Sequence, residues 1–392
     1  MKILICSPIS LQLLADYVEN GDSLPEGYRY PLAAYLVRIY LSLGHNVHVV
    51  TSAPQVEKTK VWAGDKLTLW VTPRRGKYLF CLDGYRREIR AMVASIKKAN
   101  PDIVHAHWTY EFAHAAIASG YPHLITARDS PWAIVRYMTS PYRIFRLIYA
   151  YRIVPFIRNF SVISPYLEDH YRRHFFYRRR IRLIPNGLSL ELFQKSSKQF
   201  NSKKAPVFVS ISGWGPGKNL KVILKAFPKV LKQIPEARLI VIGAGLGPGD
   251  IGESWALKKG LYKNIDFRGH LIHTECLEVL RSEADIFVHT SLEESFCMTL
   301  IEAMSSGLPV IGGRDSGAVP WLLGDGEAGV LSDVSNPDDV AKKMIMLALN
   351  QTLYNEVAAH GFNRARKYFV IDKVSDEYLK AYKEILSNER LA

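Results

Sequence analysis

The feature that most constrains this chain is an alternation of short β-branched runs with amphipathic stretches, interrupted once. In the first half the apolar runs fall at 3–7, 47–51, 103–107, 124–127, 161–164 and 181–184, and residues 30–43 and 84–98 carry a helical period between them. Strand, helix, strand repeated in this way predicts a parallel sheet with helices on both faces, because parallel neighbours need a crossover long enough to hold a helix. The polar tract 194–204 then breaks the pattern and reads as a linker. A second series follows, with apolar strands at 207–211, 239–242, 265–267, 286–289 and 309–311. The expectation is an α/β chain with a doubly wound domain at 1–190, a linker at 191–204 and a second doubly wound domain at 205–371. From Pro337 the pattern is helical, and the last helix, at 372–392, has no strand to return to and is available to pack back on the first domain. Doubly wound sheets take ligands outside the carboxyl ends of their strands, so the function is expected in the cleft between the two.

Charge narrows the partners. The formal net charge is +14, and it is concentrated. Residues 1–127 carry 14 basic and 10 acidic groups, 128–182 carry 12 and 3, and 183–392 carry 25 and 24. Every basic group in 128–182 is Arg, and thirteen aromatic residues interleave with them. Guanidinium groups bind phosphate bidentately and aromatic rings favour a membrane interface, so an anionic membrane surface or a phosphorylated acceptor is the leading partner. A solvated helix face whose rings belong to the core is the alternative. Nucleic acid is disfavoured; only Arg178-Arg179-Arg180 forms a contiguous run. The longest apolar stretch, 144–157, contains Arg146 and Arg152 and is shorter than the ~20 apolar residues a spanning helix needs. Residues 1–15 hold Ser7, Pro8, Ser10 and Gln12 and read as a strand rather than a secretory signal. Cys6, Cys81, Cys276 and Cys297 show no CxxC spacing. A reduced, cytoplasmic protein, peripheral on the inner face of the membrane, is the expected setting.

The chemistry-bearing segment begins after the strand at 286–289. Glu294 falls in the strand-to-helix loop, and Glu302 lies within the helix that Gly307 ends. Amides around 296–299 sit at that helix's N-terminus, where the dipole and the unpaired donors favour an anion such as a diphosphate. A carboxylate two turns further in suits the hydroxyl donors of a ribose.

With Ala303-Met304 and Gly307-Leu308-Pro309-Val310 behind it, the Glu294 to Glu302 spacing resembles retaining glycosyltransferase family 4. The resemblance continues in Ile184-Pro185-Asn186-Gly187, in Lys218-Asn219 before a helix, and in Gly243-Ala244-Gly245 after a strand. It implies the GT-B fold, two Rossmann-like domains facing a central cleft, with a nucleotide diphosphate-sugar on the C-terminal domain and the acceptor on the N-terminal one. The activity it implies is retaining transfer of a hexosyl-type sugar to a hydroxyl of a lipid-linked or polysaccharide acceptor, as in cell-envelope polysaccharide synthesis. By the same resemblance Glu302 holds the ribose and Glu294 contacts the donor sugar. Phe296, Cys297, Met298 and Thr299 contact sugar and phosphate, and Gly213, Trp214, Gly243 and Gly245 line the donor side. Lys218 is the cation for the leaving diphosphate. No metal or cofactor is expected, because fixed donors suffice to stabilise that charge.

The chain also departs from the family. Trp214 stands in a shortened loop where relatives carry Arg, and Arg314 is either a substitute cation or a surface residue. Cys297 replaces a frequent Gly, and Trp321 a frequent Glu. On the N-terminal side His105 and His107 share one strand face without a third ligand at suitable spacing, so metal is not expected there. The resemblance places His107, Trp108 and Glu111 beside the acceptor pocket; packing and helix capping are the alternative. Arg128-Asp129 occupies the place of a His-Asp pair. An Arg cannot act as a base and would offer donors to a phosphate or carboxylate, while Asp129 remains an acceptor. Glu294, Lys218, Arg128 and Asp129 make up the expected catalytic set. Gly27 and Tyr28 take the position of a glycine-rich acceptor loop, residues 12–24 are expected to form a flexible lid over it, and Asn186-Gly187 reads as a hinge turn. Three other readings compete. A GT-B epimerase or phosphorylase shares the architecture without this donor motif. A Rossmann dehydrogenase would use Gly243-x-Gly245 with Asp266 about twenty residues on, although Pro248 stands where the third glycine belongs. A non-catalytic basic lipid- or nucleic-acid-binding protein would rest on the Arg segment.

Overall fold

A computed structural model describes residues 1–76, 78–194 and 205–391. Contacts divide the chain into two units, Met1–Gly187 with Ile371–Ala392, and Leu188–Val370. Most of the expected linker, 195–204, lies outside the described residues.

In the first unit the chain runs β1 (Lys2–Cys6), α1 (Pro31–Ser42), β2 (Asn46–Ala53), β3 (Lys60–Ala63), β4 (Leu67–Pro73), α2 (Arg86–Ala99), β5 (Ile103–His107), α3 (Glu111–Ser119) and β6 (His123–Ala127). It continues through α4 (Pro131–Tyr137), α5 (Pro141–Ile153), β7 (Phe160–Val162), α6 (Pro165–His174) and β8 (Ile181–Leu183). The strands form one sheet in the order β3-β4-β2-β1-β5-β6-β7-β8. Only β3 with β4 is antiparallel. Strands β5 and β6 are buried at every residue, as parallel strands covered on both faces are. The edge hairpin β3–β4 escaped the sequence reading because β3 buries only Trp62 and β4 alternates buried with half-buried residues, so neither shows the continuous apolar run that marks the interior strands.

Residues 12–24 are not a flexible lid. They coil as two short 3-10 turns, with Leu11 and Leu14 fully buried in the core. Trp62 Nε1 donates to Ser23 Oγ at 2.8 Å, and the Glu19 amide donates to the Ala63 carbonyl at 2.9 Å. Two leucines three positions apart anchor a segment whose polar letters suggested mobility.

The C-terminal helix, Ile371–Leu391, belongs to this first unit. Its Tyr378 and Tyr382 are fully buried, and the Tyr382 hydroxyl stands 2.6 Å from His105 Nδ1 and 3.1 Å from the Tyr40 hydroxyl. Glu384 pairs with Arg182 at 3.0 Å and with Arg180.

The second unit runs β9 (Val207–Ile211), α7 (Leu220–Gln233), β10 (Arg238–Ile242), α8 (Ile251–Lys258), β11 (Ile265–Phe267), α9 (His273–Ser282) and β12 (Ile286–Val288). Then come α10 (Met298–Ser305), β13 (Val310–Gly313), α11 (Val319–Leu322), β14 (Val330–Ser332), α12 (Pro337–Leu349) and α13 (Gln351–Tyr368). Its all-parallel sheet has the order β11-β10-β9-β12-β13-β14. The chain winds outward from β9 to β11, crosses back to β12, and winds the other way. Between β9 and β12 the order reverses, and it is outside the carboxyl ends of strands at such a switch point that doubly wound sheets take ligands. No helix among the described residues is long and apolar enough to cross a membrane.

Candidate active site

The crevice between β9 and β12 brings together residues far apart in sequence. The loop after β9 delivers Lys218 and the loop after β12 delivers Glu294, and Lys218 Nζ lies 2.6 Å from Glu294 Oε1. His289, the residue directly after β12, places Nε2 3.2 Å from the same oxygen and 3.5 Å from Cys297 Sγ. Sequence reading absorbed His289 into the apolar strand; its signal was an imidazole immediately beyond a switch-point strand, five residues before the loop glutamate.

Burial disfavours the Glu294 carboxylate, yet the hydrogen bond and charge of His289, reinforced by Lys218, hold its pKa at about 2. For His289 burial opposes the charge, and the Cys297 sulfur and the Glu294 carboxylate outweigh it, raising the imidazole to about 10. Lys218 is raised as well, because Glu294 outweighs burial. The switch point therefore sets the Glu294 carboxylate between the Lys218 ammonium and the His289 imidazole. Gly317 fixes its backbone: at φ +61 it passes so close that a Cβ there would meet the Glu294 carbonyl at 2.4 Å, and the Ala318 amide donates to that carbonyl at 2.8 Å.

Cys297 caps α10 with φ 156° and ψ 91°, a conformation that favours glycine. Met298 and Thr299 follow in the first turn, where helix amides have no preceding turn to pair with. Glu302 is buried on α10, and its Oε1 is 3.0 Å from Nε2 of His273, the first residue of α9. That hydrogen bond raises the His273 pKa against burial. The Phe296 ring packs edge-on against Trp321 and Phe369. Gly213 and Trp214 meet the loop after β10, where the Trp214 amide donates to Ala244 O at 2.8 Å and a Cβ on Gly243 would meet Ser212 O at 2.2 Å. The φ of 81° at Gly245 completes this turn. The Trp214 ring lies 5.7 Å from that of Trp255 on α8. Arg314 pairs with Asp333 and Asp339 on the surface and is no substitute cation for Lys218.

In the first unit the acceptor-side candidates gather at the carboxyl ends of β1 and β5, which pair across that sheet's own switch point. Tyr28 and Trp108 meet edge-on at 6.1 Å, the Tyr28 hydroxyl lies 3.2 Å from Ser52 Oγ, and the Arg74 guanidinium covers the Tyr28 ring at 4.3 Å. Gly27 passes so close to Ile9 that a Cβ would meet its carbonyl at 2.6 Å. Glu111 opens α3 and is buried; burial raises its pKa, with Arg146 opposing. Asp129 shows the same balance and accepts from the Tyr110 hydroxyl at 3.2 Å. Glu111 Oε2 and Asp129 Oδ1 are buried without a hydrogen-bond partner.

Three expectations change here. Arg146, assigned to the membrane-facing segment, is buried with its guanidinium 3.7 Å over the Tyr110 ring and 4.9 Å over Trp108. Arg128 is also buried, and its donors go to His107 Nδ1 at 3.3 Å, to Asn186 Oδ1 and to the Tyr378 hydroxyl at 3.4 Å, not to an open pocket. Asn186, read as a hinge turn, is thus a buried acceptor for Arg128. Burial and the Arg128 charge hold the His107 pKa well below its ordinary value, so that ring is neutral.

Two doubly wound, parallel-dominated sheets, one with a Lys–Glu pair and a helix N-terminus at its switch point, define a GT-B glycosyltransferase fold. Solved structures share it: sucrose-phosphate synthase from Thermosynechococcus elongatus aligns with a TM-score of 0.78 at 17% identity over 99% of this chain and 100% of that one. The Anabaena protein HepE in complex with UDP and glucose aligns with a TM-score of 0.68 at 15% identity, covering 98% of this chain and 100% of that one. The chain belongs to the glycosyl transferases group 1 family, whose profile matches residues 193–389, and the profile of glycosyltransferase family 4 matches residues 31–192. Among curated relatives, trehalose synthase of Pyrococcus horikoshii is 29% identical over 44% of this chain and 43% of its own length. Phosphatidyl-myo-inositol mannosyltransferase of Mycobacterium leprae is 28% identical over 47% of this chain and 49% of its own. The chain thus spans about half the length of these two. Alpha-monoglucosyldiacylglycerol synthase of Acholeplasma laidlawii is 23% identical over 94% of this chain and 93% of its own length. Family membership sets aside the dehydrogenase reading.

Proposed function

We propose that this protein transfers a hexosyl group from a nucleotide diphosphate-sugar to a hydroxyl of a lipid-linked or polysaccharide acceptor, with retention and without a metal ion. The observation that carries the reading is the 2.6 Å Lys218–Glu294 pair beside the N-terminus of α10 at the β9/β12 switch point. When the bond from the sugar to the diphosphate breaks, its electron pair leaves with the phosphate, the acceptor hydroxyl oxygen bonds to the same anomeric carbon, and the hydroxyl proton passes to the departing diphosphate. Lys218 and the amides of Cys297, Met298 and Thr299 stabilise that charge without reorganising. Glu294, kept ionised by His289, accepts hydrogen bonds from the sugar hydroxyls, and Glu302, oriented by His273, accepts from the ribose. Retention rests on family membership. A UDP-sugar donor is supported by the UDP and glucose in the HepE complex, and a lipid acceptor by the names of the mannosyltransferase and the diacylglycerol synthase.

In the first unit, Tyr28, Trp108, Glu111 and Asp129 form the acceptor side, their support being the two buried carboxylate oxygens without a partner. The exposed basic and apolar side chains of α4 and α5 support attachment to the cytoplasmic face of an anionic membrane, as in envelope polysaccharide synthesis; buried Arg146 takes no part.

Calorimetry with UDP, GDP, ADP and NAD tests the donor assignment, followed by product analysis with the matching sugar nucleotides. Saturable binding of a nucleoside diphosphate is expected, weakened ten- to hundredfold by Glu302→Ala, in line with the roughly 1.5–3 kcal/mol of a hydrogen bond to a charged group. Saturable NAD binding with no nucleoside diphosphate bound overturns it. The ligand atoms of His289, Glu294 and Cys297 lie within 4.8 Å of one another, so turnover is also compared with and without EDTA; loss of activity in EDTA overturns metal independence.

A further inference from the structure

Helix α5 is apolar on two sides. Leu147, Ala150 and Ile153 pack into the core, while Ile144, Ile148 and Tyr151, spaced four and three residues apart, face solvent. Single exposed hydrophobics are ordinary, but a stripe of them continuous with other apolar residues marks an interaction site. Here the stripe borders a groove of about 1070 Å³ formed with α2 and α3, whose mouth carries Leu82 at 85% exposure, Phe156 at 66% and Ile148 at 57%. Such a volume admits a ligand of lipid-chain size. Its floor includes His114 and Tyr149, which satisfy each other at 2.5 Å and so present ring surfaces.

The rim is cationic. Arg86 and Arg90 stand one turn apart on α2, Arg152 stands opposite on α5, all three are exposed, and none belongs to an ion pair among the described residues. Asp83 also lines the groove, but Arg75 occupies both of its oxygens, at 2.8 and 3.1 Å. Like charges one helical turn apart are destabilising, and an anion between them removes that cost.

We propose that this groove binds one anionic phospholipid, an acyl chain lying against Leu82, Ile148 and Phe156 and the phosphate held by Arg86, Arg90 and Arg152. The proposal deepens the membrane-surface reading, on which it rests for the source of the lipid, and it differs in requiring a discrete stoichiometric site that includes α2, outside the Arg-rich 128–182 segment. A second copy of the chain is the poorer occupant, because a two-fold contact would set this Arg cluster against itself.

The test titrates the whole protein with dihexanoyl phosphatidylglycerol below its micelle concentration. One-to-one binding is expected, with dihexanoyl phosphatidylcholine and glycerol phosphate each binding at least tenfold more weakly. Ile148→Asp with Phe156→Asp, and separately Arg86→Gln with Arg90→Gln, lower the affinity tenfold or more while circular dichroism and nucleotide binding stay unchanged. No saturable binding, equal binding by both double variants, or glycerol phosphate binding as tightly as the lipid overturns the site. So does reversible dimerisation in sedimentation that the Ile148→Asp, Phe156→Asp variant abolishes. Flotation with anionic vesicles separates the two readings: flotation without one-to-one lipid binding sinks the groove and leaves the membrane surface, and the reverse pattern sinks the membrane surface alone.

Discussion

Lys218 Nζ and Glu294 Oε1 lie 2.6 Å apart although 76 positions separate them in sequence, and the pair joins the loops that follow β9 and β12 at the second unit's switch point. The Lys218 side chain is 45% exposed while that of Glu294 is 15% exposed, so the cation is the more accessible partner of the pair.

Replacing Lys218 with Ala is therefore expected to lower kcat by about a hundred- to a thousandfold, the usual loss when one fixed donor to a developing negative charge is removed. Thermal stability should change little, because Glu294 keeps His289 as a partner. Steady-state rates with a saturating sugar nucleotide check this; a kcat within threefold of the parent removes Lys218 from the leaving-group role.

The pH dependence of stability follows from the same cluster. Glu294 titrates below its ordinary 4.5, at about 2, so its contribution is present above 4.5 and is lost as pH falls toward 2. His289 titrates above its ordinary 6.5, at about 10, so its contribution is complete below 6.5 and is lost as pH rises through 10. Between about pH 4.5 and 6.5 both are in place. Thermal unfolding of the parent and of His289→Gln across this range should differ most there and converge toward pH 10; a gap that widens with alkalinity contradicts the assignment.

Cys297 holds a glycine-like backbone conformation, which costs a side-chain-bearing residue about 1–3 kcal/mol. Cys297→Gly should raise stability by about 1 kcal/mol in chemical denaturation, the lost sulfur contact with His289 offsetting part of the relief, with nucleotide affinity retained. A fall in stability would show that the sulfur contact outweighs the strain.

Arg128 acts as a brace between His107, Asn186 and Tyr378. Arg128→Met strands buried acceptors and should destabilise by about 1–3 kcal/mol, speed proteolysis of the C-terminal helix, and leave nucleoside diphosphate binding intact. Unchanged stability with lost nucleotide binding would reverse this assignment.

Much of the sheet architecture was legible because interior parallel strands are buried on both faces and so read as short, mainly apolar and β-branched runs, and the loop-then-helix placing of Glu294 and Glu302 followed from strand and helix boundaries alone. What sequence could not show is pairing across distance. His273 orients Glu302 from another helix, His289 ionises Glu294, and Arg146 looks solvated in a list of arginines until Tyr110 and Trp108 close over it. The 3-10 segment at 11–23 was misjudged for a related reason, since Leu11 and Leu14 reveal themselves as core only when α1 is in place to receive them.

The return of the chain to the first unit at Ile371 sets an order on synthesis. Residues 188–370 form a continuous stretch that can close its own sheet as soon as it is made. The first unit, begun earlier, lacks the partners of Tyr40 and His105 until Tyr382 has been added. On a ribosome the unit that starts first is thus completed last, and any chain cut short before residue 371 carries a first unit whose Tyr40 and His105 lack the Tyr382 hydroxyl.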